Sequence, residues 1–298
     1  MLSLVATAVP VAAAEPGAGA ARHRKKGKRC RGPHGKAKKA CKKAKPRTEA
    51  KPPERYLQFD GAANYVEAPD STALSVDATG SLSVSVWMRP DALTFIHTEG
   101  SLPSEQYVHW LGKGGKGQSE WVFRMYSVTN PPGPRENRIS FYVFNLTGGR
   151  GCGSYFQDPV QTGRWIHVVG VVDGMAQTTS IYKNGVLRNT NSYAGIITPR
   201  HGAAPLRLGT QDLASFSQGA LAQVDVWNRV LTANEIAKLH TLGTVPRGGL
   251  AAEYKLNEGA GSTAFDTASG NNGVVFGATW GMGSYALQTD TGSSGGGC

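Results

Sequence analysis

Residues 81–89 read Ser-Leu-Ser-Val-Ser-Val-Trp-Met-Arg. Leu82, Val84, Val86 and Met88 alternate with Ser83, Ser85 and Trp87, the period of two that a strand imposes when one face meets a core. A helix would scatter these four apolar residues around its circumference. The same alternation runs through Trp121–Val128 and Ile139–Leu146, and Trp165–Asp173 (WIHVVGVVD) is an apolar run dense in β-branched residues. In Ile181–Arg188, Asn184-Gly185 stands between strand-like flanks, and both residues tolerate the positive φ of a tight hairpin. One helix is predicted, Thr232–Leu239. There Thr232 and Glu235 have capping-box spacing, Ile236 and Leu239 make a short apolar stripe, and Gly243 lies just beyond. Many antiparallel strands and one late helix predict an all-β fold. The expected architecture is a two-sheet antiparallel jelly-roll sandwich over residues 56–244, with one short C-terminal helix and a disordered basic N-terminal tail.

The chain has 298 residues, 40% hydrophobic and 18% charged, with 39 Gly and 16 Pro, which excludes a collagen-like or wholly disordered polymer. It has no apolar run of about 18 residues, the length of a membrane-spanning helix. The net charge of +11 is unevenly placed. Fifteen of the 32 Lys and Arg fall between Arg22 and Lys51, where Glu49 is the only acid; beyond Lys51, 17 basic residues face 19 acidic ones, a net of −2. A basic pI therefore does not mark the fold itself as a nucleic-acid binder. Residues 15–55 hold too few large apolar side chains to offset the entropy of ordering and read as a disordered basic linker. Residues 22–51 suit either a solvated spacer or an arm that contacts a polyanion, such as phosphate-rich wall polymer, nucleic acid or acidic polysaccharide. They contain no aromatic residue, which argues against stacking on single strands.

Met1–Ala14 (MLSLVATAVPVAAA) is a signal-peptide-like segment, with Ala12, Ala13 and Ala14 offering a small-residue cleavage site before Glu15. It has no positively charged start, so either translation begins upstream or the signal is atypical. The expected location is secreted or at the cell surface. Four cysteines, Cys30, Cys41, Cys152 and Cys298, make an even number. In an exported chain, Cys30 with Cys41 would close a small loop and Cys152 with Cys298 would pin the carboxyl terminus to the body. Spacing selects neither pairing, and no C-x-x-C occurs to suggest zinc or redox chemistry.

Read in order, several short segments resemble the laminin G-like jelly rolls of the concanavalin A-like lectin/glucanase superfamily, of the secreted bacterial type. They are Leu57-Gln58-Phe59-Asp60-Gly61, Tyr65-Val66-Glu67 with Pro69-Asp70-Ser71, and Val84-Ser85-Val86-Trp87-Met88-Arg89-Pro90. Lys113-Gly114-Gly115, Trp165-Ile166-His167-Val168, Tyr182-Lys183-Asn184-Gly185, Leu208-Gly209 and Val226-Trp227-Asn228-Arg229-Val230-Leu231-Thr232 follow. Each piece is weak alone; their order over nearly 190 residues makes the resemblance specific. It implies an extracellular module that binds carbohydrate or protein, in some members with structural calcium. Residues 249–290 resemble the segment that in such proteins precedes the first Phe-Asp-Gly strand, so 245–298 is either a partial repeat or a set of permuted strands completing the sandwich. Docking onto the body is the favoured reading, because about 42 residues cannot sustain a core alone.

Asp60 and Asn64 flank the turn after the first strand and could give oxygen ligands to calcium; alternatively Asp60 caps the turn through its own backbone. Where many members of the family carry Asp-Glu before the final strand, Ala222-Gln223 stand here, which puts a calcium site using that acid in doubt. For a sugar, which offers C–H patches and hydroxyls together, aromatic faces and fixed donors are the fitting chemistry. Alternation puts Arg124 and Tyr126 on one face, and Ser140, Tyr142 and Phe144 on the next, all opposite Phe123, Met125, Phe141 and Val143. These and Tyr155 are the candidate ligand-binding residues; the competing reading is a second packed face. Trp110, Trp121 and Phe156 are weaker rim candidates. The Glu-x-Asp-x-(x)-Glu triplet of the family's glucanases is missing, His97, His109, His167, His201 and His240 lack metal spacing, and no nucleophile elbow or phosphate loop occurs. The resulting expectation is a secreted, non-catalytic module for a glycan or an extracellular protein, with no catalytic residue assigned and calcium as the one conceivable cofactor. The alternatives are a polysaccharide hydrolase or lyase and a structural or adhesive domain.

Overall fold

Alternating segments become strands wherever the sequence predicts them. The chain runs through β1 (Arg55–Asp60), β2 (Tyr65–Ala68), β3 (Leu82–Pro90), β4 (Tyr107–Gly115), β5 (Gln118–Tyr126) and β6 (Arg138–Phe144). It continues with β7 (Gly151–Gln157), β8 (Ile166–Asp173), β9 (Thr178–Lys183), β10 (Val186–Ser192), β11 (Leu206–Leu208) and β12 (Gln218–Trp227). After α1 (Ala233–Leu242) come β13 (Leu250–Tyr254), β14 (Thr263–Ala264), β15 (Gly273–Phe276), β16 (Thr279–Met282) and β17 (Ser293–Gly297). This computed structural model describes residues 50–77, 80–115, 117–147, 149–289 and 292–298. The expected leader, most of the basic linker, Cys30 and Cys41 lie outside the described residues.

One sheet has the order β10-β9-β8-β3-β12-β1-β16, with β13 also paired to β12; the other runs β14-β15-β2-β11-β4-β5-β6-β7-β17. Neighbouring strands are antiparallel, as in β3 with β8 and β12, and β5 with β4 and β6. The inward residues of both sheets form one core, in which Leu82, Val84, Val86 and Met88 join Phe123, Met125, Phe141 and Val143. Its aromatic centre is tight: Phe123 lies 4.8 Å from Trp110 and 4.6 Å from Phe141 between ring centroids. Gly170 in β8 makes room for this centre, since a Cβ there would fall 2.5 Å from Cγ of Phe141.

Asn184 and Gly185 adopt φ of 51° and 78° between β9 and β10, the left-handed pair of a two-residue hairpin. At α1, Thr232 accepts the Glu235 N–H while the Glu235 carboxylate accepts the Thr232 N–H, and Gly243 closes the far end in the left-handed region. The half-buried expectation for residues 81–89 fails on one side, because every residue of β3 is buried. Near its start the cause is α1 and the segment leading into it, whose Leu231, Ile236 and Leu239 cluster with Val169, Val171 and Trp227. Ser83 is satisfied there: its Oγ donates to the Arg229 carbonyl at 2.8 Å and accepts the Leu231 N–H at 2.9 Å.

Residues 250–282 add strands to both sheets. β13 pairs with β12, β15 with β2 and β16 with β1, and Tyr254 and Leu256 are fully buried in the core. At the carboxyl end β17 lies along β7, and Cys152 and Cys298 form a disulfide. Deleting residues 249–298 should abolish the cooperative thermal transition of the body, read by calorimetry; an unchanged midpoint would contradict the packing described. Thr232→Ala should cost about 1 kcal/mol in urea unfolding, the usual worth of an N-cap.

Candidate functional site

Strands β4 to β7 carry on their outer side the residues that alternation places opposite the core. Tyr107 is the register partner of Tyr126, His109 of Arg124, Arg124 of Ser140, and Ser140 of Tyr155. The guanidinium carbon of Arg124 lies 4.7, 5.0 and 5.1 Å from the ring centroids of Tyr107, Tyr142 and Phe144. That of Arg138 lies 3.8 Å over Tyr155. Arg124 also donates from Nε to Nε2 of His109 at 3.0 Å. The face is thus a lattice of rings and guanidinium groups held by cation–π attraction.

Glycines on adjoining strands let the rings lie across the sheet. A Cβ at Gly153 would fall 2.7 Å from Cγ of Tyr142, one at Gly151 would fall 2.4 Å from the Phe144 ring, and one at Gly295 would fall 2.5 Å from the Tyr155 hydroxyl. Arg124, Tyr142 and Tyr155 are half-buried and present surface, whereas Tyr126 and Phe144 are buried and underlie it. Burial pushes the hydroxyls of Tyr107 and Tyr142 up from their ordinary pKa, so both are neutral hydrogen-bonding groups near pH 7. Trp110, Trp121 and Phe156 are core residues rather than rim residues. Their strands place them inward, and Trp121 donates its indole N–H to the Leu74 carbonyl at 2.8 Å.

The margin of the face holds residues that spacing in the sequence could not assemble. Glu99, from the loop before β4, lies with Oε1 2.9 Å from Nδ1 of His109, and Asp212 with Oδ1 3.7 Å from the same nitrogen. Ser215 donates to Glu99 at 2.8 Å. Burial pushes the Asp212 carboxyl up, but His109 beside it and the N–H of Ala214 outweigh burial and hold the group below the usual carboxylate range. These three side chains could together ligate a metal ion. A second such group, Asp70, Glu120 and His201, already encloses a cation: Lys113 Nζ lies 2.7 Å from Asp70 and is hydrogen-bonded to Glu120. Asp60 and Asn64 share the turn after β1. Asp60 Oδ1 accepts the N–H groups of Ala62, Ala63 and Asn64 at 2.9, 3.1 and 3.2 Å, the geometry of a turn cap.

Residues 60–237 match a laminin G-type model of the concanavalin A-like lectin/glucanases superfamily. No curated protein sequence matches the chain. Among solved structures, it is similar to a candidate carbohydrate-binding protein from Bacteroides ovatus, with TM-score 0.56 and 18% identity over 80% of this chain. The match spans only 62% of that protein's length. It is also similar to a heptameric SAP-like pentraxin from Limulus polyphemus, with TM-score 0.51 and 15% identity over 77% of this chain and 95% of the other. At these identities the likeness establishes the fold. With its two antiparallel layers and the family pattern running through most of them, the chain belongs to the concanavalin A-like lectin/glucanase superfamily.

Proposed function

We propose that the outer face of β4–β7 binds carbohydrate without transforming it, in an exported protein. The observation that carries this reading is the half-exposed Tyr142 and Tyr155, laid over glycines and interleaved with Arg124 and Arg138. Flat rings receive the C–H side of a sugar, while guanidinium N–H and phenol O–H groups meet its hydroxyls. The carbohydrate-binding description of the Bacteroides ovatus protein supports the class of ligand. A disulfide between Cys152 and Cys298 supports an oxidising compartment, and residues 22–51 add an electrostatic contact for acidic polymers. Calcium is not required by this reading.

Hydrolysis is the second reading, since Glu99 and Asp212 stand close together beside the face. Acid catalysis of glycosidic cleavage needs a carboxyl raised toward neutrality, whereas His109 holds Asp212 down. Binding is therefore favoured over turnover.

A glycan array should give saturable hits that Tyr142→Ala weakens roughly five- to thirty-fold, the effect of losing about 1–2 kcal/mol at an aromatic anchor. Equal binding by that variant, or an array without hits, would overturn the assignment of this face. Gly153→Ala, which crowds both Tyr142 and the Phe141 carbonyl, should weaken binding and cost about 1–3 kcal/mol of stability. Release of reducing ends from soluble polysaccharide, lost in Glu99→Gln, would establish the hydrolase instead.

A further inference from the structure

The opposite sheet carries a second site, unrelated to the sugar face. A cleft of about 390 Å³ opens on its outer side between β3, β8, β12 and the end of α1, with Lys51 and Pro53 at its mouth. Trp87, His167, His240, Ser85 and Asp225 line it. The rings stack: His240 lies 5.5 Å from Trp87 and 5.3 Å from His167. Ser85 Oγ and His167 Nε2 are 2.9 Å apart.

Among the residues that line this cleft, two fully buried polar atoms have no hydrogen-bond partner among the described residues, Oδ1 of Asp225 and Nδ1 of His167. Leaving a buried carboxylate oxygen unpaired is costly, and a ligand that donates to it would recover that cost. Two features select a cation. Glu253 on β13 is the register partner of Asp225, so two carboxyl groups share this region. Thr241 and Leu242 bring the carbonyl end of α1, the negative pole of its dipole.

We propose that this cleft binds a primary ammonium group carried on a C–H-rich body, with Asp225 as its counter-ion. The ammonium offers three donors, enough for Asp225 Oδ1, for the Ser85 hydroxyl and for a carbonyl at the end of α1. The carbon body rests against Trp87 and Leu239. The same chemistry occurs in a free alkylamine, a lysine side chain and an amino sugar.

The charged and titratable groups facing Asp225 set how binding depends on pH. Burial first, and Glu253 second, push its carboxyl up to about 8 against the weaker opposing pull of Gln223, Arg247 and Lys255. Glu253 itself is hydrogen-bonded to Arg247 and Thr267. Burial, with His240 beside it, holds His167 down at about 3, so its ring is neutral. Lys51 at the mouth is paired with Glu54 at 2.6 Å. An ammonium must therefore displace the Asp225 proton, and affinity should climb by about tenfold per pH unit below 8 and level off above it.

The test is titration of the full chain with n-butylammonium, followed by calorimetry and tryptophan fluorescence, with n-butanol as the neutral control. Saturable binding that rises from pH 6 to 8, is absent for n-butanol and falls at least tenfold in Asp225→Asn supports the proposal. A response shared by n-butanol, independent of pH or unchanged in the variant overturns it, as does no saturation. Acetyl-lysine-methylamide and glucosamine, run in parallel, distinguish a protein side chain from an amino sugar as the source.

A stability measurement checks that the variant folds. Between about pH 4 and 8 the native chain keeps the Asp225 proton that the unfolded chain has lost, so this residue's contribution to stability falls as pH rises. Asp225→Asn removes that loss, and its unfolding midpoint should gain on the wild type from pH 5 to 8.

Discussion

The whole arrangement depends on β12 being shared by three strands. One edge pairs with β3 along most of its length. The other edge is divided, with residues 218–221 against β1 and 224–227 against β13. Between these halves the register shifts at Gln223, which adopts φ of 44°, a bulge that adds one residue to this strand. Without it, alternation would carry Asp225 into the core and Val226 out of it. With it, Val224 and Val226 point inward while Asp225 and Trp227 face the outer layer. One backbone irregularity therefore divides an edge between a strand from the start of the fold, β1, and one from its end, β13, and turns Asp225 toward the outer cleft.

The outer face of β4–β7 rests on a different constraint. An outer sheet face left bare of a covering layer must either be polar or expose apolar rings to water. Here the rings are laid down over glycines and covered in part by guanidinium groups, so apolar area is buried while planar surface stays at hand. Glycine in a strand costs conformational entropy, and the ring lying across it restores contact. The opposite sheet uses the other solution, a helix and a returning segment packed on it, which is why β3 is buried on both sides.

These two outcomes show what the sequence makes legible. Period-two alternation identified the strands, and it separated Arg124 and Tyr142 from Phe123 and Phe141, because that division follows from local geometry alone. The capping box and the Asn-Gly turn are likewise local. What covers an outer face is not local, so the burial of Ser83 and Ser85 could not be read from the alternating run. Trp110 and Trp121 looked like rim aromatics until strand register turned them inward. The Glu99–His109–Asp212 group joins two loops to a strand and has no spacing to betray it. The pairing of Cys152 with Cys298 depends on β17 aligning Gly297 with Gly153, over a separation of 146 residues.

Two buried aspartates on the same scaffold make the last contrast. Asp158 accepts from Lys183 at 2.5 Å and from both terminal nitrogens of Arg188 at 2.8 Å. Burial pushes its carboxyl up, yet these cations outweigh burial and hold it below the ordinary range. Its charge is neutralised by residues that the β9–β10 hairpin brings together. Asp225 is buried as deeply, but the acid beside it repels and the nearest cations, Arg247 and Lys255, only partly compensate. A carboxyl so placed keeps its proton near neutral pH unless a cation arrives from outside the fold. The first aspartate is therefore complete as a charged structural group, whereas the second is an acid held neutral, with one oxygen, Oδ1, that nothing in the described chain meets.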